Sequence, residues 1–456
     1  MKFLKLHLLL SFLVYSNILF PQEYATGVLL DPAGYAKAPV HAPLMRGDYI
    51  NLPKSVSLKK YCPTPRSQGM LGTCAGWSTA YACRTIVDAI KNNWTQPAID
   101  SNAYSPSFVY NQLRKEKDCQ EGIFLTDALG LLVEKGILPL NEFEYICEKE
   151  VTKENLEKAN GNRLIEYRMI VDRSYNNKTT NVKKSLAENK PVVIAMDCCD
   201  SFFKSGDLFK PDSSDYFFQG RGHGVAVVAY DDSLYGGSFQ IMNSWGTNWG
   251  KDGFTWIRYS DFDFFCLMAF EVIGKPVVDS LTPDLSGSIL FKEPSAGIMK
   301  ANFNGKYFEM ERPYPSGTFF DLRFSNDQPA YVYVFSWDLT NKAYKIFPFT
   351  DRMVAYLPYH QNNIAIPDEE SYNILDTIPG QTYFCFLYSL QKLDLEMIMH
   401  SVEKEKGDFD DRVRRVLGDI GVDPANTKFT PGDNLRFSAF SRGKKVLPII
   451  IKITQL

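Results

Sequence analysis

At Lys275 the chain changes character, and that break limits what its 456 residues can build. Domains run to roughly 100–200 residues, so a chain of this length divides. Before the break, Leu52–Gly274 alternates helical and strand patterns. Residues 275–288, KPVVDSLTPDLSGS, hold two prolines and several small polar residues, as a linker would. Beyond it come β-branched and aromatic runs: YVYVFSW (331–337), KAYKIFPF (342–349), YNILDTI (372–378), TYFCFLYSL (382–390) and VLPIIIKITQL (446–456). These read as strands, with turns at Asn304-Gly305 and Pro379-Gly380. One amphipathic helix is expected at Phe409–Leu417. Residues 289–456 are therefore expected to form an antiparallel β-rich domain with a helical insertion.

The N-terminal run MKFLKLHLLLSFLVYSNILF joins Lys2 and Lys5 to an apolar core. Residues 1–21 read as a secretory signal, which places the protein outside the cell, in a periplasm or on a cell surface. The other reading is a retained anchor. The apolar core is shorter than the ~20 residues of a spanning helix, and Ser16, Asn17 and Pro21 interrupt it. No later stretch is long and apolar enough to span a membrane. Residues 22–51 are rich in Pro, Ala and Gly without a period, as an extended leader or short pro-segment would be. The net charge of -3 supplies no basic field, so no nucleic-acid partner is expected. Nine cysteines suit an oxidising compartment. One catalytic thiol would leave eight, whose pairing the sequence does not fix. Cys198-Cys199 has no second histidine or Cys-x-x-Cys nearby, so neither a metal nor another cofactor is expected.

Chemistry concentrates in three strings. In SQGMLGTCAGWSTAYACRTIVDAI, residues Ala80, Ala82, Ile86, Val87, Ala89 and Ile90 fit a buried helix that opens at Cys74. Free N–H groups and the macrodipole at a helix start favour a thiolate there. A buried structural cysteine is the alternative. Of five histidines, only His223 lies in the same domain as Cys74. It opens the apolar strand HGVAVVAYDD with glycine on both sides, so it can face a cleft; a core histidine bonded to backbone is the alternative. In QIMNSWGTNWGKDGF, Asn243 ends a short strand before two Trp-Gly pairs. Its side-chain oxygen can accept the imidazole Nδ1–H and so turn Nε2 toward the thiol. A turn asparagine explains Asn-Ser alone, but not the whole string.

Together these residues carry a resemblance. The order Cys74, His223, Asn243, with Gln68 six residues before Cys74, resembles the papain-like (C1) cysteine peptidases. NSWGTNWGKDGF is similar to that family's Asn-Ser-Trp-Gly-x-x-Trp-Gly-x-x-Gly signature. LPKSVSLKKYCPTPRSQGMLGTC, YSPSFVYNQ and TDALGLLVEKGI resemble its first segment and helical lobe. The resemblance covers Leu52–Gly274. It implies an α+β fold of two lobes, one helical and one β-barrel-like, followed here by the smaller β-rich domain. It implies Cys74 as nucleophile, His223 as base, Asn243 as orienting residue, Trp245 over the Asn243–His223 bond, and Gln68 with the Cys74 N–H as oxyanion hole. It also implies a Cys119–Cys147 disulfide and a protein or peptide substrate.

The chain also departs from the family. Leu71 and Ala75 stand where a Cys and a Trp are usual, Gly222 replaces a polar residue before the histidine, and the specificity-pocket glycines are not recognisable. The spacing from Cys74 to Asn243 points to insertions near 150–182 or 200–220. A leader of about thirty residues is too short for a folded inhibitory prodomain. The C-terminal part looks like β-rich domains on bacterial surface and secreted proteins, with an unknown partner. The expected function is that of a secreted bacterial cysteine peptidase. The rival is a catalytically silent papain-fold binding or scaffold protein, and a thiol acyltransferase or cell-wall peptide hydrolase is a third reading.

Overall fold

The computed structural model describes residues 24–174, 177–217, 220–277, 281–430 and 432–456; the expected signal at 1–21 lies outside them. The first lobe is helical. Its central rod has three parts: an α-turn at Cys74–Gly76, wide π-type turns over Trp77–Arg84, and an α-helix at Thr85–Asn92. The Ser78 and Thr79 hydroxyls bond back to the carbonyls of Cys74 (2.9 Å) and Ala75 (2.6 Å), the kind of contact that loosens a helical ladder. Helices Pro106–Leu113 and Leu125–Glu134 pack around the rod. The expected Cys119–Cys147 disulfide ties down the loop between them and the next segment. The other seven cysteines are buried thiols, so the cysteine count reflects packing more than cross-linking.

The second lobe is a seven-stranded antiparallel sheet. Its strands are β1 (Ser55–Ser57), β2 (Glu166–Val171), β3 (Val192–Asp197), β4 (Gly222–Asp231), β5 (Ser238–Met242), β6 (Phe254–Arg258) and β7 (Cys266–Ile273). They lie in the order β2-β7-β3-β4-β5-β6, with β1 also on β4. β3 and β4 are covered along nearly their whole length, which is why their sequences read as continuous apolar runs.

The C-terminal region packs two further sheets face to face. Strand Gly380–Ser389 shows the period-two logic: Phe384, Phe386 and Tyr388 enter the core between the sheets, while Cys385 and Leu387 face helices Leu395–Lys404 and Phe409–Leu417. The helix falls where the sequence places it. Strand Leu285–Glu293 begins inside the stretch read as linker. Of YNILDTI only Asn373–Ile374 is extended, because Asp376 turns the chain by accepting from the Ile378 N–H. Phe308 beside Ile451 pairs in parallel, as do the isolated bridges of Tyr314 to Gln455 and Gly421 to Val446, within a mostly antiparallel pattern.

The two regions meet on a buried charge. Glu271 of β7 is fully buried and accepts from Arg168 Nε of β2 (2.6 Å), Ser185 Oγ (2.9 Å) and the Tyr359 hydroxyl (2.5 Å) of the C-terminal region. Residues 38–48 of the leader run along the same seam. Val40 forms bridges to Met169 on one side and Met353 on the other. Glu271→Ala would leave the Arg168 guanidinium buried and unpaired. Denaturant unfolding should show a loss of about 3–5 kcal/mol, whereas an unchanged midpoint would remove this cluster from the stability of the fold.

Candidate active site

The two lobes press together where the rod begins. A Cβ on Gly224 would lie 2.9 Å from Ser78 Oγ and 3.4 Å from the Cys74 carbonyl, so glycine lets β4 lie against the rod. The Gly224 N–H then donates to Cys74 Sγ (3.4 Å). His223, one residue earlier on β4, donates from Nε2 to Asn243 Oδ1 at 2.8 Å. The expected tautomer is therefore reversed. Asn243 holds Nε2, and Nδ1 is the ring nitrogen with no other partner. The reason is strand geometry: Asn243 leaves β5, the neighbour of β4, and meets the far side of the ring. Trp245 stacks on the imidazole at 4.5 Å between centroids, and Phe202 meets it edge-on at 6.2 Å. These rings wall the His223–Asn243 bond off from water.

Gln68 is held from both ends. Its Oε1 accepts from Ser244 Oγ (2.5 Å), its backbone N–H donates to the Ser244 carbonyl (2.8 Å), and its carbonyl accepts from the Tyr145 hydroxyl (2.8 Å). Its side-chain amide donates to the Leu71 carbonyl (2.8 Å) and to the Ala25 carbonyl (3.2 Å). Cys74, His223, Asn243 and Gln68 thus converge, as the sequence pattern requires.

The sequence reading missed what fills the cleft. Leader residues 24–30 lie through it as an extended strap. The Tyr24 ring stacks on Trp245 at 4.7 Å, and the Ala25 carbonyl also accepts from Trp245 Nε1 (3.0 Å). Gly27 and Val28 both donate to the Gly222 carbonyl (3.1 and 3.0 Å). Ile123 donates to the Gly27 carbonyl (3.0 Å) and accepts from the Leu29 N–H (3.2 Å). The Gly27 N–H also faces Cys74 Sγ, while its carbonyl turns away to Ile123, so the thiol meets a donor there, not a carbon to attack. The fit is backbone on backbone: a Cβ on Gly27 would lie 2.1 Å from the Gly72 carbonyl, and one on Gly222 would lie 2.0 Å from the Val28 carbonyl. The only trace of this in the sequence is a glycine amid apolar residues, Thr26-Gly27-Val28. Among the described residues, the leader segment that covers the cleft is this extended run alone.

Closure sets the electrostatics. Cys74 and His223 are both fully buried. Burial pushes the Cys74 thiol up to about 12, against the pull of N–H groups from Gly224, Gly27, Ala75 and Cys74 itself. Burial also holds His223 down to about 4, against the bond to Asn243. The helix start does not yield a thiolate here, because desolvation under the strap outweighs it. Both shifts favour the uncharged forms of thiol and imidazole.

No helix among the described residues is long and apolar enough to cross a membrane. A sequence model of papain family cysteine proteases matches residues 52–273, about half of the chain. Cathepsin L2 of Homo sapiens is 27% identical over 219 residues, which is 45% of this chain and 60% of that protein. Papaya proteinase 4 of Carica papaya is 24% identical over 252 residues, 53% of this chain and 65% of that protein. The chain therefore covers less than two thirds of either relative's length. Among solved structures, xylellain, a cysteine protease from Xylella fastidiosa, is 20% identical with a TM-score of 0.46, over 56% of this chain and 97% of that one.

Two outcomes test the closed site. Gly27→Val should lift the strap and raise iodoacetamide labelling of Cys74 at least tenfold at neutral pH; equal labelling would mean that the strap does not shield it. Because His223 titrates lower folded than unfolded, the unfolded chain binds more protons between those values. That share of stability is whole above pH 6.5 and falls away toward pH 4, by about 3 kcal/mol. His223→Gln should flatten this slope in unfolding curves, and an identical slope would contradict a buried neutral imidazole.

Proposed function

We propose that the papain-family domain at residues 52–273 is a cysteine peptidase acting on protein or peptide substrates. The observation that carries this reading is the convergence of a thiol, an oriented imidazole and a preset amide donor at one cleft, with Cys74 at a helix start. With the strap gone, water and substrate reach the pair. His223 Nδ1 takes the Cys74 proton, and the imidazolium stabilises the thiolate beside it. Sγ adds to the scissile carbonyl, and the oxyanion sits against Gln68 Nε2 and the Cys74 N–H. The Ala25 carbonyl oxygen, which accepts from the same Gln68 amide, marks where an oxygen is received. As the intermediate collapses, Nδ1–H protonates the leaving amine and a thioester remains on Cys74. A water molecule, losing its proton to His223, then hydrolyses that thioester and restores the thiol. Asn243 keeps the ring's Nε2 engaged through each proton transfer, so the ring does not rotate away.

The apolar N-terminal run supports export, and a C-terminal β domain suits an extracellular partner. A binding protein without turnover would have no physical need for Ser244 to hold Gln68 with its amide toward the cleft.

The Gly27→Val chain should hydrolyse casein and take an epoxide directed at papain-like thiolates at Cys74. Cys74→Ala in that background should abolish hydrolysis. Gln68→Ala should lower kcat by about a hundredfold, from the loss of one oxyanion donor. Asn243→Ala should weaken catalysis with folding retained. Undiminished casein hydrolysis by the Cys74→Ala chain would rule out this mechanism.

A further inference from the structure

The leader has two halves with opposite structural roles. Residues 24–30 bond to the peptidase domain along the cleft. Residues 38–48 are built into both domains. The Pro39 carbonyl accepts from the Met169 N–H (2.7 Å), and the Val40 N–H donates to the Arg352 carbonyl (2.8 Å). The Val354 N–H donates to the Val40 carbonyl (3.0 Å), and Arg352 Nε donates to the Ala38 carbonyl (2.9 Å). Ala42 is wholly buried in the core between the two C-terminal sheets. The Met45 N–H donates to the Asn363 carbonyl (2.8 Å), and Asn363 Nδ2 donates back to Asp48 Oδ1 (2.6 Å). Pulling this stretch out would strip a strand partner from β2 and open the C-terminal core. Between the halves lies Asp31–Lys37, where Asp31, Pro32, Ala33, Ala36 and Lys37 are exposed. Only Tyr35 is buried there, its hydroxyl donating to the Leu29 carbonyl (2.7 Å).

We infer that residues 38–48 are a permanent strut of the folded protein, and that the leader is processed in the exposed turn Asp31–Lys37. This rests on the peptidase reading only for its purpose, which is regulation of the same cleft. The match to the family begins at residue 52, the boundary at which a simple leader would be cut. In this chain such a cut frees nothing, because 38–48 stays bonded to both domains and keeps the strap tethered beside the cleft. A short tether holds its end at an effective concentration on the order of millimolar. Hydrolysis of one peptide bond in 31–37, with water adding across it, removes the tether upstream of the strut. The strap then dilutes away while the domains stay joined. The active form is expected to begin between residues 32 and 37.

Two insertion variants of the full chain test this. Each carries a thrombin recognition sequence, one after Ala33 and the other after Ile50, which is exposed. Thrombin cleavage after Ala33 should raise iodoacetamide labelling of Cys74 at least tenfold once the released peptide is removed by gel filtration. Cleavage after Ile50 should leave labelling unchanged, with the N-terminal fragment retained through the same column. If cleavage after Ile50 opened Cys74 as fully as cleavage after Ala33, the strut would be refuted. Protection of Cys74 persisting after cleavage at Ala33 would refute the processing turn. Both readouts are alkylation and retention, so a chain that never hydrolyses peptides would overturn the proposed function and leave this result standing.

Discussion

The site depends on one close approach, where β4 lies against the rod that begins at Cys74. Gly224 permits it, and any side chain there would meet Ser78 or the Cys74 backbone. Because the strand comes so near, its N–H reaches the sulfur and the preceding residue delivers an imidazole from the opposite lobe. The β5 neighbour supplies Asn243, and the loop after it supplies both the Trp245 ring and the serine that fixes Gln68. Four side chains of the candidate site are thus set by one interlobe contact and one strand pairing.

The same contact shows why an identical set of groups can rest or act. A thiol and an imidazole become an ion pair only if the charged forms are better solvated, or better paired, than the neutral ones. Under the strap they are not. Four N–H groups around the sulfur are outweighed by the loss of water, and Asn243 does not keep His223 protonated. Seven residues of backbone, 24–30, occupy the slot, and burial beneath them favours the uncharged forms.

Much of this was legible in the sequence. The Asn243 string and the lone domain histidine single out residues that lie together in the fold, and Cys119–Cys147 pairs as the family resemblance implies. The alternation in residues 382–390 and the stripe at 409–417 give a strand and a helix close to their places. Which ring nitrogen Asn243 holds was not legible, because it depends on the side of the strand from which Asn243 approaches. The strap was not legible either. Its bonds run through backbone groups that every residue carries, so Tyr24–Leu30 shows no periodic pattern. Val40 likewise carries no mark of belonging to two domains at once.

That double membership has a consequence for how the chain comes together. Most of the leader's partners in the first domain, from Ile123 to Gly222, are synthesised within the first half of the protein, but Arg352 lies 314 residues beyond Ala38 and Glu370 lies 324 beyond Arg46. During vectorial synthesis the peptidase lobes can be complete while residues 38–48 still have one bare edge. Closing so long a loop adds little further entropic cost, since that cost grows only with the logarithm of length. The wait is what matters: arrival of the last domain turns an arm bonded on one side into a segment bonded on both, so the order of synthesis itself decides when the two halves become a single molecule.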